Sequence, residues 1–168
     1  MQKNINVGLI GAGTVGSGVY KVLKKNFSEI YKKTGKKIII FALAEKDINR
    51  AKEIAGDEVI ILEDAFDLVS HKDIHIVVEL IGGIGISKDL VVEAIKNKKH
   101  VVTANKALIA IHGEELVMLA NKHNVNLAYE AAVAGGIPII KSVREGLAGN
   151  KIEWIVGILN GTTNYILT

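Results

Sequence analysis

The chain has 168 residues, 49% of them hydrophobic and 23% charged, with a formal charge of +3. That is enough for one full core and too apolar for a disordered polypeptide, and so mild a charge does not mark a nucleic-acid-binding surface. No cysteine is present, which excludes disulfides and thiolate metal sites. No apolar run reaches the ~18 residues of a membrane span and the start shows no signal-peptide pattern, so the expected location is the cytoplasm.

Residues 7–10 form a short apolar run ending in glycines, and 15–23 carry apolar residues at helical spacing. Residues 38–44 form a second apolar run. Continuous runs of this kind fit strands covered on both faces of a parallel sheet. The pattern then predicts a helix over 48–54, a strand over 59–62, a helix over 65–70 and a strand over 74–81. A helix over 88–97, a strand over 100–102, a helix over 107–121, a strand over 124–129 and a helix over 137–147 follow. The lysine clusters at 24–25, 32–33, 36–37 and 98–99 read as solvated helix ends and loops. Strand and helix alternate, so the expected fold is α/β, a doubly wound and mostly parallel Rossmann-type sheet. Residues 151–159 read as a further strand and 160–163 as a turn. A dinucleotide-binding domain over 1–150 is therefore expected, with the first elements of an α+β substrate domain over 151–168.

Gly11-Ala12-Gly13-Thr14-Val15-Gly16 follows the first strand directly and opens the first helix. In this fingerprint Gly11 permits the tight turn, Gly13 lets the backbone approach a pyrophosphate, and Gly16 lets helix and strand pack closely. The helix start at Ala12, Thr14 and Val15 offers unpaired N–H groups to the phosphates. At the end of the second strand Glu45 is the candidate for the ribose hydroxyls and favours NAD, whereas Lys46 beside it favours the 2′-phosphate of NADP. Ile81 and Gly82, in the glycine turn after the fourth run, are placed to lie against a nicotinamide ribose. Thr103 and Lys106 end the next strand at the same edge, so the first glycine turn and the Lys106 ammonium are expected to face one cavity. There Lys106 can stabilise alkoxide charge or pass a proton during hydride transfer, or hold a ribose or carboxylate oxygen. Glu130, before a glycine-rich turn, either joins turned carbonyls around a hard monovalent cation or caps backbone N–H groups. The five histidines form no metal signature.

Together GLIGAGTVGSGV, VVELIGG, HVVTANKALIA, YEAAVAGGIPII and GILNGTTNYILT resemble homoserine dehydrogenase, in that family's order and over essentially the whole chain. The resemblance implies NAD(P)-dependent interconversion of L-homoserine and L-aspartate 4-semialdehyde, on the route to threonine, methionine and isoleucine. It implies cofactor contacts at Ala12, Gly13 and Thr14, a catalytic Lys106 in the nicotinamide and substrate pocket, and a sodium ion at Glu130, Val133, Gly135 and Ile137. It further implies a hinge over 161–165, an amino-acid substrate and a homodimer in the full-length enzyme, with neither nucleic acid nor membrane as a partner. The family's second catalytic lysine and the acidic residues that hold the homoserine amine have no counterpart here. The chain alone is therefore expected to bind NAD(P) and to turn over poorly. It departs from the family at Ile86-Ser87, where Pro-Ala often follows the glycine turn, and at Glu45-Lys46-Asp47, where Arg-Asp is often found nearby. The alternatives are a stand-alone nucleotide-binding sensor without catalysis, and the same chemistry on another amino-acid aldehyde.

Overall fold

The computed structural model describes residues 4–157. Strand β1 (Ile5–Ile10), helices α1 (Thr14–Lys25) and α2 (Phe27–Thr34) and strand β2 (Ile38–Ala44) come first. Helix α3 (Ile48–Ala55), strand β3 (Ile60–Leu62), helix α4 (Ala65–Ser70) and strand β4 (Ile76–Glu79) follow. Helix α5 (Gly85–Lys96), strand β5 (His100–Thr103), helix α6 (Lys106–Lys122) and strand β6 (Leu127–Ala128) complete the alternation. Helix α7 (Ile139–Lys141) then widens into a π turn, Ser142–Gly146. All pairings are parallel and the sheet order is β3-β2-β1-β4-β5-β6. The order reverses between β1 and β4, and open sheets of this kind bind ligands in the crevice at that reversal.

Strand β2 shows why the apolar runs are continuous. Ala42 and Ala44 pack on the face covered by α4, α5 and α6, and Leu43 packs on the face covered by α1 and α3. Val77 and Val78 of β4 divide in the same way. Leu9, Leu43, Leu68, Leu90 and Leu108 are fully buried; each contributes about 2 kcal/mol of transfer free energy, before the cost of ordering the chain.

Three elements differ from expectation. Helix α2 forms where a lysine-rich loop was expected; it buries no residue, so its apolar stripe is too thin to stand out among the lysines. The strand expected over 124–129 pairs only at Leu127–Ala128, because Asn124 turns with φ +57° and Glu130–Ala132 coils into a 3-10 turn. Residues 151–157, the described part of the strand expected over 151–159, form no ladder with any described residue and expose Trp154, Ile155 and Val156. β-propensity makes a strand only where a neighbour takes up the backbone N–H and carbonyl groups. The turn expected over 160–163 and the hinge over 161–165 lie outside the described residues.

Nor is the lysine cluster at 98–99 wholly solvated. Lys99 is 6% exposed, and its Nζ donates to the carbonyls of His71 and Ile74 at 2.7 Å each, tying the loop before β4 to the start of β5. Burial lowers the Lys99 pKa below the usual lysine value, against an opposing pull from Asp73. The folded chain thus holds this proton less tightly than the unfolded chain, so its contribution to stability rises as pH climbs from the depressed value toward 10.5. Lys99→Met is expected to cost about 1–2 kcal/mol, since both carbonyls lose a donor, and to flatten that alkaline rise. Urea titrations at several alkaline pH values check both.

Histidines tie the same end of the sheet. Nδ1 of His75 accepts the Asn6 N–H and Nδ1 of His100 accepts the Asn126 N–H, each at 3.0 Å. His71 takes the Asp73 N–H at 3.2 Å. No group of three or more carboxylates and histidines able to hold a metal occurs among the described residues, and no helix there is long and apolar enough to cross a membrane.

Candidate functional site

The turn after β1 is built by exclusion. Gly11 has φ +98°, in the left-handed region, and its N–H donates to the Ala44 carbonyl at 2.9 Å. A Cβ on Gly16 would stand 2.0 Å from the Gly11 carbonyl oxygen, so only glycine lets α1 approach β1 this closely. Ala12 is buried, and its N–H donates to Glu45 Oε2 at 2.7 Å, which fastens the turn to the end of β2. Helix α1 starts after Gly13 with no side-chain cap and no acidic residue in its first turn, while Thr14 and Val15 are exposed. Its first N–H groups are thus left for an anion, which the helix dipole also favours.

Beyond the carboxyl ends of β1 to β4 lies a cavity of about 570 Å³. Phe66, Ile81, Ile86 and Leu90 give it apolar walls, Gly11 and Gly82 reach it, and Glu45, Lys46, Glu63 and Asp64 bring charge to it. Size and lining are those of a small-ligand pocket. Four of the expected site residues, Gly11, Glu45, Ile81 and Gly82, therefore meet around one cavity.

Lys106 is not among the residues that line it. The cavity spans the β2-β1-β4 part of the sheet, and Lys106 opens α6 one strand further on, exposed, beyond the Ile81–Gly83 turn. Thr103 has no exposed surface; its hydroxyl donates to Glu79 Oε2 at 2.6 Å and accepts the Asn105 N–H at 3.0 Å. Its side chain thus supports the crevice edge from within the core.

Glu79 is the last residue of β4. It is fully buried, and its Oε1 accepts the N–H groups of Ile81 and Gly82 at 3.1 and 3.2 Å. Asn105 caps α6 by accepting the Leu108 N–H at 3.1 Å and donates from Nδ2 to the Gly83 carbonyl at 2.6 Å. Ser87, at the departure from the family pattern, is buried and donates to the Gly82 carbonyl at 2.6 Å. A hydroxyl therefore pins the turn from the α5 side. The only signal for any of this in the sequence was an acidic residue ending an apolar run.

Glu130 accepts the N–H groups of Ile140 and Lys141, one on each carboxylate oxygen, both at 2.9 Å. It caps α7, the role that its chemistry offered beside cation binding. Val133 is half-buried, Gly135 has φ +60° and Ile137 is exposed.

Residues 11–130 match the family model described as "Homoserine dehydrogenase, NAD binding domain", and residues 138–168 match the one described as "Homoserine dehydrogenase". The homoserine dehydrogenase of Neisseria gonorrhoeae is 51% identical over 167 residues, a match that covers 99% of this chain and 38% of that protein. The crystal structure of a homoserine dehydrogenase from Thiobacillus denitrificans has a TM-score of 0.91 at 49% identity, covering 98% of this chain and 38% of that one. A hyperthermophilic archaeal homoserine dehydrogenase solved with NADPH shares the fold, with a TM-score of 0.72 at 23% identity, over 88% of this chain and 50% of that one. The chain spans less than half the length of the curated relatives it matches.

Proposed function

The chain belongs to the homoserine dehydrogenase family, and from that premise we propose that it forms the NAD(P)-binding part of an oxidoreductase interconverting L-homoserine and L-aspartate 4-semialdehyde. The observation that carries this reading is the glycine turn at the β1–β4 reversal, packed so closely that Gly16 admits no side chain, beside a cavity of nucleotide-binding size. Bound there, NAD(P) supplies the group that accepts or gives the hydride.

The chain's own residues then have distinct tasks. The N–H groups of Gly13, Thr14 and Val15 receive the pyrophosphate. Glu45 takes the adenosine ribose hydroxyls: its Oε1 makes only a long contact to the Asp47 N–H, 3.3 Å, so acceptor capacity remains. Ile81 and Gly82 border the nicotinamide ribose. Lys106, exposed at the start of α6 on the far side of that turn, is the candidate whose ammonium would stabilise negative charge on the substrate oxygen and pass the proton. Glu130 with the carbonyls of Val133, Gly135 and Ile137 is the candidate sodium site. Residues 1–150 form the nucleotide-binding domain in this reading and 151–168 open the substrate domain; the full-length enzyme is a cytoplasmic homodimer. Sensing without catalysis gains no support from relatives that are themselves named as dehydrogenases.

Titration of the chain with NADH and with NADPH, followed by nicotinamide fluorescence, tests the reading. At least one reduced cofactor is expected to bind saturably, with little or no turnover of homoserine by the chain alone. Binding of neither overturns the proposal.

A further inference from the structure

We propose that Glu79 is a positioning residue that locks the nicotinamide-side turn to the start of α6 and so sets where Lys106 stands relative to the cofactor. This deepens the function proposed above and rests on it.

The argument is one of connectivity. Glu79 ends β4, the strand on the nicotinamide half of the sheet, and no part of it is exposed. A carboxylate in that position needs donors for both oxygens, because an uncompensated buried charge is costly. It has three: the Ile81 and Gly82 N–H groups on Oε1 and the Thr103 hydroxyl on Oε2. The Thr103 hydroxyl oxygen accepts the Asn105 N–H, and the Asn105 side chain returns to the Gly83 carbonyl. The links close a ring: Glu79, Thr103, Asn105, Gly83, and back along the turn. Gly82 and Gly83 are both left-handed, with φ +72° and +77°, a backbone free to move unless its peptide groups are held. One side of the ring borders the cavity and the other immediately precedes Lys106. Among the described residues no hydrogen bond of this ring reaches β2 or Glu45, so its direct hold is on the nicotinamide half of the site.

The test uses the chain itself with two probes. NADPH (or NADH, whichever the wild type binds better) reports on both halves of the site, and the matching adenosine phosphate without the second ribose (2′-phospho-ADP beside NADPH, ADP beside NADH) reports on the adenosine half. Glu79→Gln and Thr103→Val each break one link of the ring at nearly constant volume. Each is expected to weaken reduced-cofactor binding about tenfold, the size of one charged hydrogen bond, and to shift nicotinamide emission. Affinity for the adenosine phosphate is expected to stay within about twofold of wild type. Thr103→Ser, which keeps the hydroxyl, is expected to restore wild-type binding. Equal weakening of both probes, or weakening of neither, overturns the inference. If Glu79→Gln does not fold, Thr103→Val and Thr103→Ser decide between those outcomes. A wild-type chain that binds no reduced cofactor would instead refute the function on which this rests.

Discussion

Gly16→Ala is expected to abolish measurable NAD(P)H binding by the chain and to destabilise it, whereas Gly13→Ala is expected to weaken binding alone. The new Cβ at position 16 would lie 2.0 Å from the Gly11 carbonyl oxygen and 3.0 Å from its carbon, both backbone atoms. No rotamer relieves such a clash, so α1 must move away from β1 by more than 1 Å, roughly the shortfall from van der Waals contact. That movement costs about 1–3 kcal/mol of packing and carries the helix N-terminus away from where phosphates would be held. At Gly13 a Cβ meets nothing within 4 Å, and φ −66° with ψ −168° suits any residue. Alanine there leaves the protein's own packing untouched, so its cost must come from the approach of the ligand. Calorimetric Tm and fluorescence titration separate the two effects. Wild-type affinity in Gly16→Ala would contradict the site, and an unchanged Gly13→Ala would remove the pyrophosphate from it.

The second large effect is expected in a protein carrying the full length of its relatives. There Lys106→Ala should lower kcat by roughly a hundredfold to ten-thousandfold, the usual worth of a positioned proton donor, with the cofactor KM within about threefold of wild type. The structure makes this side chain available. It opens α6, exposed at the crevice edge, and no hydrogen bond or ion pair holds its ammonium among the described residues. A cation at a helix N-terminus opposes the dipole, so its removal should leave Tm unchanged or slightly higher. Steady-state kinetics with homoserine, together with a melting curve, check both halves of this expectation. Near-normal kcat would rule out the catalytic role, and a large fall in Tm would make the lysine structural.

Residue by residue, the two levels of description divide cleanly. Residues 7–10, 38–44 and 74–81 announced buried parallel strands because apolar side chains on both faces of a strand leave a continuous run whatever the neighbours are. Gly11, Gly13 and Gly16 announced the phosphate turn because backbone freedom belongs to the residue itself.

Contacts between atoms distant in the chain were not legible in this way. The inward turn of Glu79, the burial of Lys99 among carbonyls and the grip of Ser87 on the Gly82 carbonyl each depend on which backbone groups folding leaves without partners. A one-dimensional pattern does not record that. The same reason left residues 151–157 without a ladder among the described residues despite their apolar character. The residue types along the chain by themselves determined the alternation, the glycine turn and the family. Only the tertiary structure decided which charges are buried and what they hold, because a hydrogen bond across the sheet is chosen by geometry and desolvation, and neither exists until the strands have paired.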